Sequence, residues 1–457
     1  MTHQDKDSNP KIVDPFLLEV LEQHRGNSEF TDILRSIQKE QNEIVDYDFY
    51  KNTVVQGCAG SGKTMILFHR LANILHNLDA FNGTVTPSRI AVIIPNNDFK
   101  DYITHLTWSL GVDKIKTMTM DEYILSKVED VITKIFKNEG RDNYYSHGQS
   151  KKDGSIALLM EDIRAQFLDE ATTLSEVATF DFNTAKKLAK FIDFYQNTLR
   201  LMIIKRNADR DRLFANKNNN QNYQKWLHDS LDEIRQYRKD TIDEFKVTFL
   251  DGKLTRSYML GLLSMVCLSE ALSEYSPSAD ELLMIDEGQD YGRAEYGTLF
   301  AINSECIFNI YGDIDQKIYS RGLDEWNDII ELLDAKYFSL NQDYRNSNQI
   351  VDFVNELLGK HIISVGFSTK DVEYIDAAKL PVYIEYEVKL LHHNIAIVTE
   401  TPELYDDVMS SVKIMTVEQI KGLEFDTVII SPEIMRMNRS RQYIALTRAL
   451  SHLYIID

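Results

Sequence analysis

Apolar residues along this chain keep two different rhythms. Short unbroken runs, "NTVVQG" near residue 54, "SRIAVIIPN" near 92, "ELLMIDEGQD" near 285 and "CIFNIYGDIDQ" near 310, have the length and β-branched content of buried strands. Between the first two lies "GSGKTMILFHRLANILHNL", whose apolar side chains recur three and four apart, as on a helix. Strand, helix, strand in that order predicts a parallel sheet covered by helices. Residues 15–45 also read as helical, through "PFLLEVLEQH" and "FTDILRSIQKEQNEIV".

From 121 to 279 the helical rhythm takes over, in "DEYILSKVEDVITKIF", "TAKKLAKFIDFYQNTLRLMII" and "QKWLHDSLDEIRQYRKDTIDEF". Two polar stretches, "NEGRDNYYSHGQSKKDGS" and "NADRDRLFANKNNNQN", are expected to be loops. The strand signal returns at about 280, and past 331 strands and helices alternate again through "YFSLNQ", "NIAIVTE", "DTVIISPEI" and "HLYIID". The expected order is a first α/β domain over 1–120, a helical insertion over 121–279, the first domain resuming over 280–330, and a second α/β domain over 331–457. No internal repeat is visible.

The glycine-rich turn after the first strand carries chemistry. "GCAGSGKT", residues Gly57, Cys58, Ala59, Gly60, Ser61, Gly62, Lys63 and Thr64, fills the pattern G-x-x-x-x-G-K-[ST] between a strand and a helix. Small residues let backbone N–H groups curl around phosphate oxygens, Lys63 meets the outer phosphates, and the Thr64 hydroxyl ligates Mg²⁺. Hydrolysis also needs a carboxylate for the metal and one to orient water. Asp286 and Glu287, at the end of the strand "LLMI", are the expected pair.

Composition narrows the setting. The chain has 457 residues, too many for one ordinary core, with 43% hydrophobic and 26% charged residues. No apolar run approaches the ~20 residues of a membrane span, and the polar start "MTHQDKDSNPKIVD" lacks a signal core, so a cytoplasmic protein is expected. Cys58, Cys267 and Cys306 are too scattered for a disulfide framework or a metal-ligand spacing and read as reduced thiols. A net charge of −21 argues against a surface that coats itself with phosphates, so any nucleic-acid path must be a local basic lining.

Taken together, the motifs resemble those of a superfamily 1 helicase of the UvrD/Rep type, in that family's order over nearly the whole chain. "IQKEQNEIV" resembles the glutamine motif, "GCAGSGKT" motif I, "DEGQD" motif II, "YGDIDQKIY" motif III, "LNQDYRNSNQI" motif IV, "TVEQIKGLEFDTVII" motif V and "RQYIALTRALSHLYI" motif VI. Several phrases look closest to the HelD (helicase IV) branch. The resemblance implies two RecA-like domains with ATP between them: Gln41 reading adenine, Tyr344 stacking on it, Gln316 sensing the γ-phosphate, Arg345 and Arg448 as the cations of the second domain, and Gly422 and Glu424 at the nucleotide. It also implies single-stranded DNA as the track, or, for a HelD-like ATPase switch, a protein partner such as RNA polymerase or a nuclease.

Four departures stand out. Gly288 replaces alanine in motif II, and Met65 replaces an arginine after motif I. Motif III reads "QKIYSRGLDEW", without the tryptophan that stacks on a base; Tyr319 is a candidate substitute, while Trp326 reads as core. The stretch between "DYRN" and motif V is short, where full-length relatives insert a large domain, so a compact form is expected. The helical block mixes basic and aromatic residues between Arg200 and Lys239, as a strand path or as a solvated face. A P-loop kinase or GTPase is excluded by motifs V and VI and by the missing N-K-x-D signal.

Overall fold

A computed structural model describes residues 39–77, 86–96, 115–136, 154–170, 180–213, 220–389, 391, 393–405 and 412–457. Of the helix expected over 15–45, residues 39–46 are helical and 15–38 lie outside the described residues, as do 138–153 of the polar stretch expected over 138–155. The chain forms two compact units. One holds the described residues up to Thr119 with Asp280–Arg293 and Glu305–Asp457; the other holds Met120–Ala279 and Ala294–Ser304.

The first unit contains two wholly parallel sheets. The larger runs in the order β3 (Lys116–Thr119), β2 (Ile90–Ile94), β4 (Leu282–Ile285), β5 (Ile307–Gly312), β1 (Thr53–Gly57), β6 (Lys336–Leu340). All five residues of "IAVII" and all four of "LLMI" are buried, as a parallel sheet covered on both faces requires. Helix Lys63–His76 supplies Ile66, Leu67, Phe68, Leu71 and Ile74 to that core. The smaller sheet has the order β11 (Lys413–Met415), β10 (Ile395–Val398), β12 (Phe425–Ile430), β13 (Ala449–Ile456), β9 (Glu373–Ile375). A two-stranded pair, β7 (Gln342–Asp343) with β8 (Ile363–Ser364), completes the unit.

Strand β6 corrects an expectation. The sequence pattern places "YFSLNQ" in the second α/β layer, yet Lys336–Leu340 pairs residue for residue with Thr53–Gly57 at the edge of the first sheet. The Lys336 amide continues the ladder onto the Asn52 carbonyl at 2.9 Å. An edge strand with one unpaired side tolerates the exposed, polar residues that "KYFSL" carries, so its sequence gives no sign of its sheet.

The second unit is helical: Met120–Ile135, Gly154–Glu170, Phe182–Leu213, Asn220–Phe245 and Arg256–Leu268. Its core is rich in rings, with Phe136 edge-on to both Tyr195 and Phe245. Helix Phe182–Leu213 runs through "NADRDRL", where a loop was expected. No glycine or proline interrupts this segment, and an Arg212–Asp209 pair at i,i+3 supports the last turn. Residues 294–304 also join this unit although the first sheet surrounds them in sequence. The Ser264 and Thr298 hydroxyls meet at 2.8 Å, the Asn303 amide donates to the Tyr123 hydroxyl at 3.0 Å, and Arg256 lies 3.6 Å from Glu295. Among the described residues no helix is long and apolar enough to cross a membrane, and the three cysteines are free.

Candidate functional site

The loop from β1 into helix Lys63–His76 is shaped by two glycines. Gly60 and Gly62 have φ of 72° and 79°, the left-handed region. A Cβ on Gly60 would fall 1.9 Å from Asp343 Oδ1, and one on Gly62 1.8 Å from the Tyr344 hydroxyl. No side chain caps the helix and no acid sits in its first turn, so its leading N–H groups remain to face the loop. The Lys63 ammonium donates to the Gly57 and Cys58 carbonyls, 3.0 Å each. The Gln41 side chain donates to the Ser61 carbonyl at 3.3 Å. Arg70, a fully buried guanidinium, binds the Ile44, Tyr47 and Asp48 carbonyls at the end of the helical segment 39–46 that carries Gln41.

Past the end of β4, the Asp286 amide still pairs with the Ile93 carbonyl at 2.9 Å, which aims its carboxylate at the loop. Its Oδ2 accepts from the Thr64 hydroxyl at 2.7 Å. Glu287 has φ 51°, one of two non-glycine residues with positive φ among those described, a strained conformation that neighbours must enforce. Gln289 does part of this by donating to its carboxylate. Burial, with the Glu287 charge beside it, pushes the Asp286 carboxyl up. Burial also acts against the Glu287 anion, but Lys421 and Lys63 outweigh it and hold this carboxyl below its usual range.

The second sheet contributes cations. Helix Val417–Ile420, closed at its start by a Thr416–Gln419 capping box, ends at Lys421. The Lys421 ammonium lies 2.6 Å from Asp290 and 3.5 Å from Glu287, and donates to the Gln316 carbonyl at 2.9 Å. Arg448 follows helix Arg439–Leu446, which Asn438 caps. It is 4% exposed and donates to the Gln316 side-chain oxygen at 2.9 Å, while the Gln316 amide donates to Asp313 at 2.8 Å. Burial and the nearby Arg345 charge lower the Arg448 pKa to about 10. From the same helix the Tyr443 hydroxyl accepts a hydrogen bond from the Ala59 amide at 2.9 Å.

The expected site residues thus meet, with one pairing of their own. The loop residues 57–64, Gln41, Asp286, Glu287, Gln316, Tyr344 and Arg448 converge, whereas Arg345 is ion-paired with Glu424 and leaves its Nε buried without a partner. Gly422, φ 83°, forms the turn between Lys421 and Glu424. Trp326 is core: it is 5% exposed and donates to the Gln56 side chain at 2.7 Å. Tyr319 is 42% exposed beneath the Arg321 guanidinium. Sequence reasoning passed over Lys421, Asp290, Asp343 and Tyr443; each lies inside a quoted motif, and a buried charge between apolar neighbours, as in "QIKGLEF", was the available signal.

In the helical block, Arg238 donates to the Phe136 carbonyl at 2.8 Å and Tyr237 stacks on Tyr195, so both are structural. Arg210, Arg212 and Arg235 are paired with Asp211, Asp209 and Asp232. Phe214 and Lys217 lie outside the described residues.

Residues 37–324 match the UvrD/REP helicase N-terminal domain, and residues 260–457 match the viral superfamily 1 RNA helicase core domain. No curated protein matches the chain. Among solved structures, the arterivirus nonstructural protein 10 helicase is 18% identical over 39% of this chain and 40% of its own, with a TM-score of 0.28. The PRRSV helicase is 16% identical over 39% and 35%, and the arterivirus helicase in complex with DNA 16% over 39% and 40%, both at 0.28. The chain therefore spans at most 40% of the length of these structures. With its first model covering more than half of the sequence, the chain belongs to the UvrD/REP helicase family.

Proposed function

We propose that this chain hydrolyses ATP with Mg²⁺ and uses the cycle to move along single-stranded DNA. One RecA-like lobe is built on the sheet around β1, the other on the sheet around β12, and the helical residues 121–279 form an insertion. The observation that carries the reading is the reach of Arg448 and Lys421, from the second sheet, to Gln316, Asp290 and Glu287 of the first.

In this reading the loop amides and Lys63 bind the phosphates, Gln41 and Tyr344 meet the base, and Glu287 orients the attacking water. Lys421 and Lys63 keep Glu287 ionised despite its burial, so its carboxylate can accept a hydrogen bond from that water. Arg448 stabilises charge developing on the γ-phosphoryl, and Arg345 joins it on release from Glu424. Thr64 and Asp286 offer two hard oxygens 2.7 Å apart, a donor set that suits Mg²⁺, which when bound neutralises charge on the phosphate oxygens. Gly422 and Glu424 flank the nucleotide. The phrases shared with the HelD branch support a place near it, and a cytoplasmic setting fits nucleic acid as substrate.

ATP turnover by the purified chain, measured alone, with single-stranded DNA and with RNA, tests the reading, together with unwinding of a tailed duplex. Turnover that rises with single-stranded DNA is expected. Turnover indifferent to every nucleic acid would favour a switch acting on a protein partner, a reading that the ion-paired arginines of the helical block support.

A further inference from the structure

Far from any role in ATP turnover, a buried carboxylate on the second sheet is crowded by donors. Glu387, on the helix Leu380–Lys389, is fully buried. The Thr427 hydroxyl donates to it at 2.7 Å, His393 Nδ1 lies at 2.8 Å, His452 Nδ1 at 2.9 Å from both oxygens, and Lys370 Nζ at 3.2 Å. The Tyr454 hydroxyl donates as well. Five donors compete for about four lone-pair positions on one carboxylate. At least one of them is surplus.

The three groups come from separate elements. Glu387 sits on the helix, His393 precedes β10, and His452 lies on β13 opposite Thr427 of β12. Their ligand atoms all lie within 4.8 Å of one another. Two imidazole nitrogens and a carboxylate oxygen form a donor set for a zinc-like ion, and Thr427, bonded to both Glu387 and His393, orients two of them. His393 and His452 side chains are 21% and 13% exposed, so an ion has a way in.

We propose that Glu387, His393 and His452 form a transition-metal site, for Zn²⁺ or a dication of similar preference, in which the Lys370 ammonium is the resident competitor. Without metal, Glu387 and Lys370 balance one charge each. Binding replaces the Nδ1 protons that the imidazoles give to Glu387, moves each ring to its other tautomer, and sends Lys370 out toward Glu373, 3.7 Å away. The ion then clips the helix Leu380–Lys389 to β13 and stabilises that sheet.

The test is titration of the metal-stripped full chain with zinc alone by calorimetry and with cobalt by visible absorption, beside thermal melts. One equivalent should bind and raise Tm. His393→Ala and His452→Ala should each weaken binding by about tenfold or more, since loss of even a partner that only orients a ligand costs that much, and abolish the Tm rise. Lys370→Gln should tighten it about tenfold by removing the competing charge. No binding by either the wild type or Lys370→Gln overturns the proposal. So does zinc affinity unchanged in both histidine variants, which would locate the ion elsewhere.

Discussion

The Tyr443 hydroxyl accepts from the Ala59 amide at 2.9 Å, joining the helix that precedes Arg448 to the loop that precedes Lys63. Both residues are buried, at 1% and 2% exposure. Cys58 and Ala59 pack in the same apolar cluster as Val351, Val428 and Leu446, so this end of the loop is seated on the second sheet's core. Tyr443→Phe keeps the ring under Lys360 but leaves the Ala59 amide unpaired. It should destabilise the protein by about 1–3 kcal/mol in urea unfolding. Unchanged stability would mean that water or the ligand-binding face of the loop takes over this amide.

Lys421 is the common cation of Asp290, which is buried, and Glu287, which is partly buried. Lys421→Met should cost about 3–5 kcal/mol, because Asp290 and Glu287 lose their common cation. Combining it with Asp290→Asn should recover part of that loss, a coupling that a double-mutant cycle reads directly. Lys421 opposes burial to keep Glu287 ionised, so its loss should also move the acid limb of the pH–turnover profile to higher pH. Additive single effects would show that the ion pair is not what holds these residues.

Glu287→Gln keeps the side chain's shape but not its basicity. Turnover should fall by about 10²–10⁴-fold while fluorescent-nucleotide titration shows binding retained. Lys63→Ala should instead lose both. Normal turnover in Glu287→Gln would remove Glu287 from the role of base.

Asp343 makes stability depend on pH. Burial pushes its carboxyl up to about 6, against the pull of Arg345. The folded state therefore holds this proton more tightly than the unfolded chain, where the value is 3.8. Its contribution is complete below pH 3.8 and is lost as pH rises through about 6. Asp343→Asn can still accept from the Arg345 and Asn346 amides but has nothing to ionise. Melting temperatures across this window should show the variant gaining on the wild type with rising pH. A constant difference would contradict the assignment.

How much of this was legible depended on where the information lies. The turn 57–64 was legible because its left-handed backbone at Gly60 and Gly62 demands glycine at fixed places, and Asp286, which meets Thr64, because it ends a buried apolar strand. Buried strands such as "IAVII" and "LLMI" were readable because burial on both faces leaves an uninterrupted apolar run. Strand β6 was misplaced because an edge strand's residues answer mainly to solvent, and its partner is more than 270 residues away in the chain. The helix through "NADRDRL" was missed because its support is local ion pairing without apolar periodicity. Lys421, Asp290 and Tyr443 act through partners on the other sheet; the local sequence marks a charge among apolar neighbours, as in "QIKGLEF", but not the partner it meets.

In the proposed cycle, Arg448 acts on a nucleotide held by the loop 57–64. The most direct test of that role is ATP turnover with magnesium and single-stranded DNA, compared between the wild type and Arg448→Ala, with nucleotide affinity measured alongside. A fall of about 10³-fold or more with affinity little changed is expected, in keeping with arginines that act on a transferring phosphoryl group. Equal turnover in the two proteins would contradict it and leave Arg345 as the cation to test.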